Sequence, residues 1–365
     1  MTAFRIALDL TQAKLGRIGI SVYIRQLQEA LAPLLGDRLV PIASRLARPV
    51  AGARRTVGER LATLGRDLWW HQLGVTRAAR RRGCRLLHLP AGLGPIRGAF
   101  PAVVTVHDIM PLRFPQLFRP WYRNYVRVVL PRLAQRACAV ISPSATVKRE
   151  IEEWLGVPAE RVTVIPHGVD PVFRPLVADD ARASAVRRRY SLPPTFALAV
   201  GSIEPRKNLP RLIEALERLR GRPGSADIFL VHAGPEGWRP EAATSSVVRF
   251  LGYVPTEDLA TIYSLARVFV YPSLWEGFGM PILEAMACGC PVVTSNLSSM
   301  PEVAGEAAVF VDPYSSEDVA RGVAAAWEDA PLRDRLVALG RERAAQFTWA
   351  RAARETVAVY EAALD

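Results

Sequence analysis

The sequence predicts an α/β protein made of two doubly wound domains, each built around a mostly parallel sheet. The chain has 365 residues, which is too long for one ordinary hydrophobic core and suits two domains. Short apolar runs alternate with helix-like patterns in two successive series, as expected of parallel strands joined by helices. A polar, turn-rich segment at 170–184 separates the two series and is interpreted as a linker.

The first series contains five predicted strands and three predicted helices. Each strand is an apolar run bounded by polar or turn-forming residues. The strands are predicted at FRIALDL (4–10), CRLLHLP (84–90), AVVTVHD (102–108), CAVISPS (138–144) and VTVIPHG (162–168). The helices are predicted at 20–35, 121–137 and 145–156, and Ser142 or Ser144 is positioned to cap the last of them.

The second series contains six predicted strands and ends in helices. The strands are predicted at FALAVGS (196–202), DIFLVHAG (227–234), VVRFLGYVP (247–255), ARVFVYPS (266–273), CPVVTSN (290–296) and AAVFVDP (307–313). Helices are predicted at 208–220 and 256–266, at 282–289 and after the last strand, from 314 to the terminus. We therefore expect one domain at 1–175, a second at 176–345 and a C-terminal helix at 346–365.

Composition excludes several classes of protein. Hydrophobic residues make up 50% of the chain, which is typical of a folded globular protein. No stretch of about 20 uncharged apolar residues occurs, so no transmembrane helix is predicted. The first residues, MTAFRIALDLTQ, are typical of a strand rather than of a secretion signal. Cys84, Cys138, Cys288 and Cys290 form neither a CxxC pair nor a disulfide framework, so we expect a cytoplasmic protein with Cys288 and Cys290 in its core.

Positive charge is concentrated in the first half of the chain. Residues 1–175 contain 27 Lys and Arg against 11 Asp and Glu, a net charge of +16. The remaining residues carry 20 against 24, a net charge of −4. The densest basic parts, at 45–60 and 77–85, favour an anionic partner such as acidic lipid head groups, a lipid diphosphate or nucleic acid. The alternative is a set of solvated arginines in a chain that has only three lysines.

The segment EGFGMPILEA (276–285) is a candidate binding site. It places Glu276 and Glu284 on either side of a glycine-containing turn, between a predicted strand and a predicted helix. Backbone N–H groups at the start of that helix can bind an anion or a hydroxyl-rich ligand. Both carboxylates can then face the carboxyl end of the sheet and accept hydrogen bonds from sugar hydroxyls. A surface turn with two solvated acids is the alternative.

A second loop, GSIEPRKNL (201–209), also joins a strand to a helix. Gly201 permits a tight exit from the strand. Arg206 and Lys207 lie at the helix N-terminus, where the helix dipole makes cations unfavourable unless an anion sits between them. A diphosphate fits this position, bound by the fork of Arg206 and the point charge of Lys207. An exposed Arg-Lys pair is the alternative.

The first half contains two further candidates. Gly16 and Gly19, in AKLGRIGISVY (13–23), can bring backbone amides close to phosphates, although an ordinary turn explains them equally well. His107, at the end of a predicted strand, can hydrogen-bond a sugar hydroxyl or act as an acid or base, unless it is a buried structural histidine. No cluster of His, Cys, Asp or Glu has metal-ligand spacing, so neither a metal nor another cofactor is expected.

Taken together, these segments resemble the retaining glycosyltransferases of family 4, which have the GT-B architecture. The most specific matches are GSIEPRKNL, VTVIPHGVDPVFRP (162–175) and the stretch 249–313, and the likeness covers nearly the whole chain. It implies two Rossmann-like domains that face each other across a cleft, with the C-terminal helix crossing back to the N-terminal domain. The stretch HDIMPLRFP (107–115) looks most like the mannosyl- and rhamnosyltransferases of bacterial surface polysaccharide synthesis.

The resemblance also implies roles for individual residues. Arg206 and Lys207 would bind the donor diphosphate and stabilise the leaving group. Glu284 would bind the ribose hydroxyls, Glu276 would hold hydroxyls of the donor sugar, and His107 would lie beside the anomeric region. The other implied substrate-binding positions are Gly19, Gly201, Tyr253, Val254, Gly277, Phe278, Gly279 and Met280.

The activity that the resemblance implies is transfer of a hexose from a nucleotide-sugar to a glycan or lipid-diphosphate-linked acceptor. Transfer would proceed with retention, by front-face attack and without a metal. GDP-mannose is the favoured donor, while dTDP-rhamnose and UDP-hexoses stay open. The basic first half would face an anionic membrane surface, as in a peripheral protein on the inner face of the membrane.

Two other interpretations stay open. The first is a sugar-nucleotide epimerase or a phosphorylase-like enzyme on the same scaffold, which would act on the donor without glycosylating an acceptor. The second is a basic nucleic-acid-binding protein. That interpretation rests on the charge of the first half alone and leaves Glu276, Glu284, Arg206 and Lys207 unexplained, so no nucleic-acid partner is expected.

Overall fold

The computed structural model describes residues 4–14, 19–44, 65, 69–118, 120–176, 181–220, 222, 228–235 and 245–365. The chain forms two compact units. The first contains Met1–Gly168 together with Trp349–Asp365, and the second contains Val169–Thr348. Each unit has its own parallel sheet of six strands, and helices connect most of the successive strands. The predicted α/β fold class is therefore confirmed. Gly16 and the basic segment 45–60 lie outside the described residues.

The first unit carries the strands and helices of the first predicted series. Its strands are β1 (Ile6–Asp9), β2 (Leu39–Ile42), β3 (Leu86–Leu89), β4 (Ala102–Thr105), β5 (Ala139–Ser142) and β6 (Val162–Val164). Its helices are α1 (Ile20–Leu35), α2 (Val75–Arg81), α3 (Met110–Arg113), α4 (Pro120–Arg136) and α5 (Ala145–Leu155). The strands lie side by side in the order β2-β1-β3-β4-β5-β6. Ser144 is the cap of α5, since its hydroxyl accepts a hydrogen bond from the Val147 N–H at 3.1 Å.

Strand β2 is a strand that the sequence analysis does not predict. It is only four residues long and contains Pro41, which cannot donate a ladder hydrogen bond. Proline is tolerated on an edge strand, and among the described strands β2 lies at the edge of its sheet, paired in parallel with β1. The four residues of β2, one of them proline, are too few to give a recognisable strand pattern in the sequence. The strand becomes evident only from its pairing with β1.

The second unit carries the second predicted series. Its strands are β7 (Ala197–Val200), β8 (Leu230–Ala233), β9 (Val248–Phe250), β10 (Val268–Tyr271), β11 (Val292–Ser295) and β12 (Ala308–Val311). Its helices are α6 (Ala181–Arg189), α7 (Leu209–Leu219), α8 (Thr256–Leu265), α9 (Met280–Ala287), α10 (Met300–Ala304), α11 (Ser316–Glu328) and α12 (Ala330–Ala345). Cys288 and Cys290 are buried free thiols in the core of this unit, as expected.

The order of strands in the second sheet determines where a ligand can bind. The order is β12-β11-β10-β7-β8-β9, so the chain progresses in opposite directions from the pair β7 and β10. In parallel α/β sheets such a reversal opens a crevice at the carboxyl ends of the two central strands. The loops that follow β7 and β10 contain the two predicted motifs, 201–209 and 276–285.

The prediction of a linker at 170–184 is wrong for residues 181–184. Helix α6 begins at Ala181, within 170–184, and Val186 is buried in the core of the second unit. The end of the helix is fixed to α8 because Arg189 and the Tyr190 hydroxyl donate hydrogen bonds to Asp258 at 2.7 and 2.9 Å. A helix with one buried side chain has no apolar periodicity, so its polar sequence looks like a linker.

Helix α13 (Trp349–Ala362) belongs to the first unit, where it packs against α1. The hydroxyl of Tyr360 lies 2.6 Å from His88 Nδ1, and His88 Nε2 lies 2.8 Å from Thr105 Oγ1. All three side chains are fully buried. The last helix therefore completes the hydrogen bonding of a histidine in the middle of the first sheet. Among the described helices, none is both long and apolar enough to cross a membrane.

We expect Tyr360→Phe to lower the free energy of unfolding by about 1–3 kcal/mol, because it leaves a buried imidazole nitrogen of His88 without its partner. Calorimetry can follow the two units separately, and the transition of the first unit should move to lower temperature. Tyr314→Phe is the matched control, since Tyr314 is an exposed tyrosine of the second unit. Equal stability of the two variants would contradict the structural role of the Tyr360 hydroxyl.

Candidate functional site

Two loops meet where the strand order of the second unit reverses. The loop after β7 leads through 201–208 into α7, and the loop after β10 leads through 272–279 into α9. A backbone hydrogen bond joins them, since the Leu274 N–H donates to the Arg206 carbonyl at 2.8 Å. Side chains of the two predicted motifs are therefore within reach of one another.

Arg206, Lys207 and Glu276 form a compact cluster of ion pairs. Lys207 Nζ lies 2.7 Å from Glu276 Oε1, and Arg206 Nη1 pairs with the other carboxylate oxygen, Oε2. The Lys207 ammonium also donates to the Tyr271 hydroxyl and lies 4.5 Å from the centre of the Tyr271 ring. The side chains of Glu276, Lys207 and Arg206 are only 9%, 13% and 19% exposed. Water therefore screens these charges little, and each charge depends on the others.

Burial and charge act on Glu276 in opposite directions. Burial alone raises the pKa of the carboxyl, but Arg206 and Lys207 outweigh it and lower the pKa from 4.5 to about 2. Burial likewise lowers the pKa of Lys207 against the attraction of Glu276. The sequence analysis expects an anion between the two cations, and the structure places the Glu276 carboxylate there.

Asn208 holds the turn that presents the two cations. Its backbone is left-handed, with φ of 59°, a conformation that asparagine tolerates better than most residues. Its side-chain amide is buried and donates to the Pro272 carbonyl at 3.1 Å and the Pro313 carbonyl at 2.7 Å. The turn before α7 is thereby tied to the loops after β10 and β12.

Glycines allow three strand ends to pack backbone against backbone. The Gly201 N–H donates to the Ala233 carbonyl at 2.9 Å, and the Gly234 N–H donates to the Gly252 carbonyl at 2.8 Å. A Cβ atom on Gly234 would lie 1.9 Å from the Gly201 carbonyl oxygen, so no side chain fits there. Of the two residues that follow Gly252, Tyr253 is exposed, whereas Val254 is buried in the core.

The turn before α9 is held in place by Ser299, which lies in the loop after β11. The Ser299 hydroxyl lies 2.9 Å from the carbonyl oxygens of both Glu276 and Phe278. Gly279 adopts the left-handed conformation, with φ of 94°, and Met280 begins the helix. The predicted residues 276–280 thus form one ordered turn between β10 and α9.

Glu284 lies one turn into α9, as predicted. The buried Tyr263 hydroxyl donates to its Oε2 atom at 3.0 Å. Burial raises the pKa of Glu284 to about 7, Tyr263 and Lys207 oppose the rise, and Asp170 adds to it. With a pKa of about 7, Glu284 is divided between its two protonation states near neutral pH.

His107 and Gly19 lie in the first unit. The Nε2 atom of His107 is 2.8 Å from the Pro90 carbonyl, which can only accept, so Nε2 carries the proton and Nδ1 is an acceptor. The edge of the ring meets Tyr23, with ring centres 4.4 Å apart, and burial lowers the pKa of His107 to about 4. Gly19 is exposed at the start of α1, with φ of 56°.

The structure thus brings Arg206, Lys207 and Glu276 into contact, with Gly201 and Glu284 beside them. Five residues of this neighbourhood are missed by the sequence analysis: Glu204, Asn208, Tyr263, Tyr271 and Ser299. Glu204 and Asn208 belong to the recognised GSIEPRKNL loop, and the other three lie within the recognised stretch 249–313, so all five stood in segments that the sequence analysis singles out. Among the described residues, no group of three or more His, Cys, Asp or Glu could hold a metal ion.

Two family models and several curated relatives match this chain. Residues 18–173 match the family Glycosyltransferase Family 4, and residues 186–343 match Glycosyl transferases group 1. O-antigen chain mannosyltransferase B from Escherichia coli is 33% identical over 271 residues, which cover 71% of this chain and 70% of that protein. The serotype-specific mannosyltransferase WbdA from Escherichia coli is 31% identical over 267 residues, covering 69% of this chain but only 32% of that protein.

Solved structures share the fold over nearly the full length. Sucrose-phosphate synthase from Thermosynechococcus elongatus superposes with a TM-score of 0.75 at 23% identity, covering 98% of each chain. HepE from Anabaena, solved with UDP and glucose, gives a TM-score of 0.71 at 18% identity and covers 98% of this chain and 99% of its own. From the family matches, the relative at 33% identity and the two parallel sheets, the chain belongs to the family 4 glycosyltransferases and has the GT-B fold.

Proposed function

We propose that the protein transfers a hexose from a nucleoside-diphosphate sugar to a glycan or lipid-linked acceptor in surface polysaccharide synthesis. Mannose from GDP-mannose is the favoured donor. The observation that carries the proposal is the pair of half-buried cations, Arg206 and Lys207, beside Glu276 and Glu284. The relatives named as O-antigen and serotype-specific mannosyltransferases support the sugar and the class of product.

The two cations suit the charge that develops during transfer. When the bond between the anomeric carbon and the diphosphate breaks, negative charge grows on the phosphates and positive charge on the sugar ring. Arg206 and Lys207 are held ready for the phosphates by Asn208 and Tyr271, so little reorganisation is needed. A preorganised group of this kind is worth about 3 kcal/mol in comparable sites. We propose that these side chains stabilise the leaving group without a metal.

The environment of Glu276 favours retention by front-face attack. Each of its carboxylate oxygens pairs with a cation, and its pKa is lowered to about 2, so it is a poor nucleophile and a poor base. We propose that the acceptor hydroxyl attacks the anomeric carbon from the side on which the diphosphate leaves. The hydroxyl proton passes to a phosphate oxygen of the leaving group. Glu276 then serves to bind sugar hydroxyls.

His107 is suited to binding rather than to proton transfer. Burial lowers its pKa to about 4, so the ring is neutral at physiological pH. With Nε2 bound to the Pro90 carbonyl, Nδ1 is the atom that can accept a hydrogen bond from a substrate hydroxyl. We propose that role for it.

A panel of nucleotide-sugars tests the proposed donor. A ligand that binds only the folded protein raises the melting temperature, so GDP-mannose should stabilise the protein more than dTDP-rhamnose, UDP-glucose or free sugars. The product formed with an acceptor can then be examined by NMR for the configuration of the new linkage, in the presence of excess EDTA. An isomerised or released sugar with no glycosylated acceptor would favour an epimerase or phosphorylase-like enzyme instead.

We expect Lys207→Ala to lower turnover at least about a hundredfold, because it removes a fixed charge beside the departing diphosphate. Arg211→Ala is the control, a cation in the first turn of α7, just after the loop that carries Lys207; its side chain donates a hydrogen bond to the Pro313 carbonyl at 3.2 Å. Melting curves of both variants establish that they fold. Near-normal turnover in a folded Lys207→Ala protein would overturn the phosphate assignment.

Donor binding should weaken as the pH falls below 7. The Glu284 carboxylate accepts hydrogen bonds from ribose hydroxyls in its ionised form, and its raised pKa of about 7 means that acid removes that form in the free protein. We expect the Kd of the donor to rise by up to about tenfold between pH 8 and pH 6. Glu284→Gln should bind the donor more weakly at pH 8 and lose most of this pH dependence; an unchanged slope would refute the assignment.

An anionic membrane surface is the partner we propose for the first unit. Helix α4 contains four arginines, Arg123, Arg127, Arg132 and Arg136, and no acidic residue. On the same helix Trp121 is 50% exposed and Val128 is also exposed. Tryptophan beside arginine is the combination that favours the interface between lipid head groups and water.

We expect the protein to sediment with vesicles that contain anionic lipid at low salt and to be released as the salt is raised. Trp121→Ser with Arg127→Ser should reduce binding several-fold. Trp154→Ser is the matched control, because Trp154 is 44% exposed on α5, a helix that carries three glutamates. Equal loss of binding in the control, or none in the α4 variant, would rule out α4 as the contact.

A further inference from the structure

Glu204 is a charged residue of the cation cluster to which the proposed chemistry gives no task. Its Oε1 atom lies 2.6 Å from Arg206 Nη2 and accepts a hydrogen bond from the Ser202 hydroxyl at 3.2 Å. The other terminal nitrogen of Arg206, Nη1, pairs with Glu276. Both terminal nitrogens of the guanidinium are therefore occupied by carboxylates of the protein.

The charges of this cluster cancel. Arg206 and Lys207 carry two positive charges, and Glu204 and Glu276 carry two negative charges. A diphosphate that approaches Arg206 meets the carboxylate of Glu204 at the same nitrogen. The diphosphate and the Glu204 carboxylate repel each other, and both compete for the N–H donors on Nη2 of Arg206.

The repulsion is larger for the product than for the donor. A nucleoside-diphosphate sugar has its outer phosphate esterified by the sugar, whereas the nucleoside diphosphate left after transfer carries additional negative charge there. A fixed carboxylate beside the phosphate site therefore weakens binding of the product more than binding of the donor.

We propose that Glu204 is a built-in competitor of the diphosphate, an inference that rests on the proposed function. Its carboxylate holds Nη2 of Arg206 in the ligand-free protein and weakens the hold of the site on the nucleoside diphosphate. Glu204 thereby promotes product release and sets the ratio of donor to product affinity. Glu276 cannot be tested for this property separately, because it is also the residue proposed to bind the sugar.

Glu204→Gln separates charge from geometry. The glutamine oxygen can still accept from Arg206 Nη2 and from Ser202, while the negative charge is gone. Calorimetric titration with GDP, and in parallel with UDP, should give about fivefold tighter binding to the variant than to the wild type. The inhibition constant of the nucleoside diphosphate should fall by a similar factor, and the affinity for GDP-mannose should change less.

Glu214→Gln is the matched control, since it also removes one negative charge, but at an exposed residue of α7. Glu214 pairs with Arg218 at 3.1 Å. The nucleotide affinity of the Glu214→Gln variant should equal that of the wild type. Glu204→Ala adds a second test: it also tightens GDP binding if the charge opposes the ligand, and it weakens binding if the contact only orients Arg206.

Unchanged or weaker binding of GDP and UDP by Glu204→Gln, in a protein whose wild type binds one of them, would overturn the inference and leave the proposed function intact. A wild type that binds none of GDP, UDP and dTDP would overturn the proposed function, and the inference with it.

Discussion

The arrangement of the candidate site depends on one carboxylate that is shared by two adjacent cations. Without Glu276, Arg206 and Lys207 would be like charges held side by side at low exposure, an arrangement that costs free energy. With it, the loops after β7 and β10 are drawn together, and the cations are fixed before any ligand arrives. Tyr271, Asn208 and Ser299 add hydrogen bonds that hold the same two loops. Binding a diphosphate then means exchanging partners within an existing charge network rather than building one.

The two acids of a single ten-residue segment illustrate how surroundings determine chemistry. Glu276 is buried and Glu284 is half-buried, yet the pKa of the first is lowered to about 2 and that of the second is raised to about 7. The difference comes from their partners: two cations at Glu276, and a neutral tyrosine hydroxyl with a nearby aspartate at Glu284. Two groups with separated pKa values in one site are suited to different tasks. One is a permanent anion, and the other is a hydrogen-bonding group that responds to pH near neutrality.

Sequence patterns predict the fold class, and they single out four residues that the structure brings to one crevice, because those signals are local. An apolar run that ends in a glycine-containing turn and leads into a helix predicts a strand, a crevice and a helix N-terminus, and this is how Arg206, Lys207, Glu276 and Glu284 were found. Their partners are not local: Glu276 reaches Lys207 across 69 positions of the chain, and Tyr263 reaches Glu284 across 21. Strand β2 and helix α6 were missed for a related reason. Each is short and is stabilised by its neighbours rather than by its own pattern, β2 through β1 and α6 through Asp258.

The return of α13 to the first unit has a consequence for biosynthesis. The bond between His88 and Tyr360 joins residues that are 272 positions apart, and the entire second unit is translated between them. At about 5–20 residues per second, the ribosome needs on the order of tens of seconds to deliver the missing helix. Throughout that interval the nascent first unit lacks the Tyr360 partner of His88 and the helix that packs against α1. The first unit therefore emerges earliest but is completed last. Chaperones that bind exposed apolar segments would act on it during this interval.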